Sequence, residues 1–223
     1  MSTPVLMSWS GGKDAAWALH QLQQRSDVQL IGLLTTLTEG FERSSMQGVR
    51  LEVLQAQARA VGLPLLHSWI PQACDNALYL QRMTDTLNEA RHRWPGLQTV
   101  AFGDLLLQDI RAWRERQYAD LGWQALFPLF GRDTAQLARE MIEGGLRAHL
   151  CCVDTQLLDA AFAGRAFDHA LLDALPPGID ACGENGEFHT CVSAGPMFTS
   201  ALALTQGETV LRDSRYAYTD FHT

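Results

Sequence analysis

Val5-Leu6-Met7-Ser8-Trp9-Ser10-Gly11-Gly12-Lys13-Asp14 is the stretch from which the fold can be read. An apolar run that passes at once into serine and paired glycines reads as a strand turning into a helix start. Ala15, Leu19 and Leu22 continue at spacings that share one helix face. Two adjacent glycines let the backbone approach a ligand closely, and the helix start beyond them aims N–H groups and a positive dipole end at an anion. Lys13 is the sole lysine beside sixteen arginines. A compact ammonium suits a phosphate cradle better than a planar guanidinium does. Ser10, Gly11, Gly12, Lys13 and Asp14 are therefore expected to form a phosphate site. The plainer alternative is a surface lysine in a tight strand-to-helix turn. The loop is not a Walker A motif, because no glycine stands five residues before a Gly-Lys-Ser/Thr, and it is not Gly-x-Gly-x-x-Gly.

The alternation continues downstream. Val5–Trp9 is expected as a strand and Gly12–Gln24 as a helix. Val28–Thr36 is a second strand, Gln47–Val61 a helix stopped by Gly62 and Pro64, and Leu65–Ile70 a third strand. Asp75–Trp94 is a long helix and Leu97–Phe102 a fourth strand closing at Gly103-Asp104. Strand–helix alternation of this kind builds a doubly wound, Rossmann-like parallel sheet, with the first and fourth strands side by side where the strand order reverses. Beyond residue 105 the pattern changes. Asp109–Leu121 and Thr134–Gly144 are helical, Ala148–Val153 is a strand, and helical pieces run to Leu175. Cys182–Thr190 is a glycine-rich segment, and Thr209–Arg212 and Arg215–Phe221 form a closing hairpin. The expected organisation is a nucleotide-binding domain over residues 1–130 and a smaller α+β substrate or acceptor domain over 131–223, packed tightly together.

Composition narrows the function classes. A formal charge of −8 lacks the basic balance that nonspecific nucleic-acid binding requires. No apolar run reaches the length of a membrane span and no basic segment precedes a long apolar one, so a cytoplasmic location without membrane association is expected. The five cysteines form no Cys-x-x-Cys pair, and Cys151-Cys152 sits in an apolar stretch that suits buried thiols. Cys182, His189 and Cys191 lack the paired short spacing of a zinc site.

Ligands of open parallel sheets bind beyond the carboxyl ends of the strands at the reversal point, so the Ser10–Asp14 loop and Gly103-Asp104 should face one crevice. Asp104, with Asp14, suits magnesium, which takes one or two carboxylates plus phosphate oxygens. Asp14 has the alternative role of a first-turn acid complementing the helix dipole. Glu184 and Glu187, on a loop with Gly183 and Gly186, stand near His189, which titrates near neutrality when unperturbed. That set could hold ammonia, orient an acceptor or supply a general base; its plain alternative is a solvated turn. Arg50 and Arg111 are candidate clamps for phosphate or carboxylate, or else surface ion pairs.

Ser-Gly-Gly-Lys-Asp after the first strand resembles the pyrophosphate loop (PP-loop) of the ATP pyrophosphatases. Phe102-Gly103-Asp104-Leu105, Asp109–Arg114, Phe127-Pro128-Leu129-Phe130 and Gly183–Thr190 follow in an order similar to that of the diphthine–ammonia ligase family. The resemblance runs from about residue 5 to about residue 200. It implies an adenine nucleotide α-hydrolase-like (HUP-type) fold and an ATP-dependent ligase. Such an enzyme splits ATP to AMP and pyrophosphate with magnesium, adenylates a carboxylate and passes it to ammonia. In that frame Lys13, Asp104, Glu184, Glu187 and His189 are the expected catalytic group. Ser10 to Asp14, Thr35, Thr36, Arg50, Gly103 and Arg111 would bind the nucleotide, the adenine lying near Thr35 and Thr36. Two departures mark a divergent branch with an unspecified acceptor: Gly183-Glu184-Asn185-Gly186-Glu187 replaces the family's Gly-Glu-Gly-Gly-Glu, and Met46-Gln47-Gly48-Val49-Arg50 replaces a tyrosine-bearing loop. The competing expectations are a tRNA-thiolating enzyme that shares the loop and an ATP-binding sensor without catalysis. A Trp or Phe exposed on the outer helices would mark a homodimer face.

Overall fold

A computed structural model describes residues 2–45 and 47–223; Met46, in the loop named above, lies outside the described residues. Along the first part of the chain run β1 (Thr3–Ser8), α1 (Lys13–Gln23), β2 (Val28–Thr38), β3 (Arg43–Ser44) and α2 (Leu51–Val61). They are followed by β4 (Leu65–Ile70), α3 (Asn76–Arg93), β5 (Thr99–Ala101), α4 (Gln108–Asp120) and β6 (Gln124–Leu126). The second part holds α5 (Thr134–Glu143), β7 (Arg147–Asp154), a 3-10 turn at Ala160–Phe162 and α6 (His169–Ala174). Its last strands are β8 (Phe188–Ala194), β9 (Thr205–Arg212) and β10 (Tyr216–His222).

Val5, Leu6 and Met7 of β1 are fully buried, as a central parallel strand covered on both faces requires. β1 pairs in parallel with β2 on one side and β5 on the other, so the first strand and the strand before Gly103 are neighbours as the crossover rule demands. β4 extends the parallel sheet beyond β2 and β6 extends it beyond β5, while the short β3 runs antiparallel to the end of β2. The α/β class with a mostly parallel, Rossmann-like sheet and a separate antiparallel sheet is the expected one.

The antiparallel sheet has the order β8-β7-β10-β9. Its hairpin turns at Asp213 and Ser214, both at φ 52°, the left-handed pair that matches the twist of a tight two-residue turn. Val5, Trp9, Leu19, Leu150, Val192 and Phe221 belong to one apolar cluster, so the α1 face of the parallel sheet and the antiparallel sheet share a core. The opposite face, with Leu6, Leu34 and Phe102, packs on Met83 and Leu87 of α3.

The elements differ from the sequence expectation where tertiary pairing overrides local composition. β6 appears directly before Phe127, where only a helix end and a break are expected, because β5 supplies it with a parallel partner. β8 begins at Phe188 inside the glycine-rich segment, because β7 pairs with it from Phe188 to Ala194. The expected helix at Gln47 starts at Leu51, since Val49 and Arg50 are tied back to Ser44 and Arg43.

Candidate active site

The Ser10–Gly12 turn is held in place by the second sheet. The Val192 N–H donates to the Gly11 carbonyl at 3.0 Å, and the Lys13 N–H at the start of α1 donates to Thr190 Oγ1 at 3.0 Å. Gln57 completes the junction. Its amide nitrogen donates to the Gly11 and Val192 carbonyls at 3.0 and 2.8 Å, and its oxygen accepts the Trp9 indole N–H at 2.9 Å. Gly11 sits at φ 81°, and a Cβ there would lie 2.8 Å from Leu54, so two independent constraints select glycine. At Gly103 a Cβ would lie 2.7 Å from the backbone of Asp14 and Ala15. The two loops therefore meet backbone to backbone, which only glycine permits.

A crevice of about 860 Å³ opens beyond the ends of β1 and β5. Ser10, Asp14, Gly103, Asp104, Glu184 and His189 all line it, so residues far apart in sequence converge. Asp14 Oδ2 pairs with Lys13 Nζ at 2.9 Å, whereas its buried Oδ1 has no hydrogen-bond partner among the described residues. Asp104 lies 2.7 Å from Arg114 Nε, and the Arg114 guanidinium rests 4.5 Å above the Phe102 ring. Glu184 Oε1 accepts the N–H groups of Leu105 and Leu106, each at 3.0 Å, and so pins the loop that carries Asp104. Burial raises the Glu184 carboxyl pKa, against the pull of those two N–H groups.

Lys13 does not line the crevice. Its ammonium is 1% exposed and lies beneath the loop, donating to Asp14 and to the Cys182 carbonyl. The Phe167 and Phe188 rings lie 5.5 and 5.4 Å from it. Burial opposes its charge, but Asp14 and the other surrounding groups outweigh that cost and hold the pKa above the ordinary lysine value. In place of a direct phosphate contact, this geometry ties the turn to the Cys182–Glu187 segment.

Glu187 is also turned away from the crevice. It is 2% exposed and accepts from Asp180 N, Asn185 N and Asn185 Nδ2 at 2.9–3.0 Å, which organises the glycine-rich turn. His189 does not titrate near neutrality: burial first, and then the Lys13 charge, lower its pKa to about 4. Arg50 is engaged by Asp220, and Arg111 by Glu115 at 2.8 Å with Phe130 beneath it, and neither lines the crevice. Thr35 and Thr36 do not line it either; Thr35 is buried, its hydroxyl without a hydrogen-bond partner among the described residues, and Thr36 accepts the Ser45 N–H through its carbonyl at 3.1 Å.

Several participants escape the sequence reading. Arg114, one turn beyond Arg111, reaches the crevice where Arg111 does not. Gln57 carried a usable signal, a polar residue on the apolar face of α2 one turn past Val53. Asp154 and Arg215, paired at 2.9 Å in the far wall, had none, because only the pairing of β7 with β10 brings them together.

The donor set suits a hard cation that arrives with phosphate. Asp14 offers an unpartnered buried carboxylate oxygen and Asp104 lies in the same crevice, which meets the one-or-two-carboxylate need of magnesium. Among the described residues, no cluster of three or more His, Cys, Asp or Glu side chains could enclose a metal unaided. No helix among them is long and apolar enough to cross a membrane.

Comparison with known proteins agrees over nearly the whole chain. A diphthine–ammonia ligase from Danio rerio is 27% identical over 245 aligned residues, covering 96% of this chain and 94% of that protein. A diphthine–ammonia ligase from Schizosaccharomyces pombe is 28% identical over 226, covering 94% of this chain but only 37% of the yeast protein. Residues 2–125 match the diphthamide synthase N-terminal domain and residues 133–219 match its C-terminal domain. With both domain matches in sequence order along it, the chain belongs to the diphthamide synthase family.

Proposed function

We propose that this protein is an ATP-dependent ligase that forms an amide from a carboxylate and ammonia, with ATP cleaved to AMP and pyrophosphate. The observation that carries this reading is the convergence of Ser10, Asp14, Gly103-Asp104, Glu184 and His189 on one crevice at the strand-order reversal. The names of the two relatives support amide formation with ammonia. In this reading residues 1–130 bind the nucleotide and 131–223 complete the acceptor side.

The carboxylate oxygen of the acceptor attacks the α-phosphorus, the bond to the β-phosphate oxygen breaks, and pyrophosphate leaves. Ammonia then attacks the acyl carbon, AMP departs with its phosphate oxygen, and one proton is released. Asp14 and Asp104 would hold magnesium, which when bound neutralises charge on the phosphates. The α1 N-terminus and Ser10 bind phosphate oxygens, with Gly11, Gly12 and Gly103 allowing close backbone approach. Lys13 acts from beneath as a positioning residue, keeping the turn and the Glu184 segment in register. Glu184 fixes the Leu105–Leu106 loop, and Glu187 the turn before His189. With a pKa near 4, His189 stays neutral and orients ammonia by hydrogen bonding, being too weak a base to deprotonate ammonium. Arg50, Arg111, Thr35 and Thr36 remain assigned to the nucleotide only if binding rearranges their present contacts.

The test is incubation with magnesium, ATP labelled at the α-phosphate, ammonium and a pool of carboxylates, followed by separation of AMP from ADP. AMP formation that depends on acceptor, and that falls at least about a hundredfold in Asp104→Ala, is the expected outcome. ADP as product would exclude α–β cleavage. ATP retained uncleaved with every acceptor would favour a nucleotide sensor, and retention of tRNA at low salt would favour the thiolating alternative.

A further inference from the structure

β9 is the outer strand of the antiparallel sheet, and among the described residues no strand pairs with its far edge. Of its eight residues all but Gly207 are exposed. Val210 is 40% and Leu211 60% exposed, on opposite faces of the strand. Such an edge is a template for pairing with another chain, and charged side chains, proline or a bulge on it restrict which registers can form. β9 carries neither lysine nor proline, and its pairing with β10 is regular from Thr209 to Arg212. The one irregularity sets Gly207 and Glu208 of β9 together opposite Asp220, a bulge that ends where the regular Thr209–Arg212 stretch begins.

We propose that β9 pairs antiparallel with β9 of a second copy of this chain, about a twofold axis through Val210. Charge sets that register. Glu208 and Arg212 stand two residues to either side of Val210 and share its face, all three lining a second cleft of about 770 Å³ with Tyr218. A twofold through Val210 sets Glu208 opposite Arg212 of the second copy at both ends, and Thr209 opposite Leu211. Opposite charges facing each other across a strand pair are favourable, and like charges are not. An axis through Glu208 or Arg212 would bring like charges together, and one through Thr209 or Leu211 would leave both groups without an ionic partner. The two charges are available, because neither forms an ion pair within its own chain among the described residues; the Arg212 guanidinium rests 5.8 Å from the Tyr218 ring.

The consequence reaches the cleft. Glu208 and Arg212 of the second copy would extend the wall that Tyr218 shares with the nucleotide crevice, so each copy would border the other's cleft. Pairing over so short an edge buries less than a standard interface of about 1,600 Å², so the dimer should be concentration-dependent and weakened by salt.

Sedimentation velocity on the full chain across the micromolar range tests this. The expected result is a shift from monomer to dimer with concentration, weakened about tenfold or more by Glu208→Arg, which would oppose two arginine pairs. Arg212→Glu should act alike, and the double exchange E208R/R212E should restore the dimer. A monomer at every concentration, a dimer indifferent to Glu208→Arg, or a double exchange that folds yet stays monomeric would overturn the proposal. Should Arg212→Glu fail to fold after losing its place on Tyr218, the wild type and Glu208→Arg alone still decide.

Discussion

His189 shows how far a single residue can depart from the behaviour of its free side chain. Its unperturbed pKa of about 6.5 makes it a natural proton carrier, but burial and the Lys13 ammonium bring it to about 4. The folded state then binds fewer protons than the unfolded state between those two values. The residue has no pH-linked cost above about pH 6.5 and withdraws stability as pH falls from there through 4, in full about 3 kcal/mol. His189→Asn should remove that loss, so its melting temperature should fall less than the wild type's between pH 7 and 5; parallel curves would show that the imidazole is not held neutral. Lys13 departs in the other direction. Nothing in Ser-Gly-Gly-Lys-Asp says that the ammonium turns inward to Asp14 and the Cys182 carbonyl, because Cys182 approaches only once β8 has paired.

At the scale of elements, the glycine turn, α2 and β8 are joined through one side chain. Gln57 is fully buried and bridges Trp9, Gly11 and Val192. Gln57→Leu keeps much of the volume but leaves the Trp9 indole N–H and the Val192 carbonyl buried without partners. The expected cost is about 2–4 kcal/mol, read as a lower urea midpoint at unchanged slope. A loss below about 0.5 kcal/mol would mean that water replaces the amide there. Most elements could be located from periodicity: the residues expected for β4 are those that form it, and β2, α3, α5 and β7 differ by a few terminal residues. β3, β6 and β8 were not legible, because each is short or glycine-flanked and is a strand only by virtue of its neighbour.

Across the whole molecule, Asp220 near the end of the chain fastens β10 to the β3–α2 region. It accepts from Arg43 at 2.8 and 3.0 Å and from Arg50 at 2.5–3.0 Å. Burial opposes its ionisation, but the two guanidiniums prevail and hold its carboxyl well below the usual range. Its contribution is therefore complete above the unfolded carboxylate pKa of about 4 and is lost as pH falls below it. Asp220→Asn leaves two guanidiniums facing each other, with an expected cost of about 1–3 kcal/mol at neutral pH, larger at low salt, and a shallower loss of stability below pH 4. Unchanged stability in both respects, measured by chemical denaturation, would show that solvent already screens the cluster.

By itself the sequence determined the α/β class, the strand order around β1, the glycine turn and the opposition of Gly103-Asp104 to it. Periodicity, glycine chemistry and crossover handedness are local or topological rules that need no coordinates. Only the tertiary structure decided which charged groups face the crevice. Arg114 and Asp154–Arg215 enter it, while Lys13, Glu187, Arg50 and Arg111 are committed elsewhere. Each of those outcomes depends on a partner far away in the chain, and a side chain's charge, burial and direction are properties of that pairing rather than of its own position in sequence.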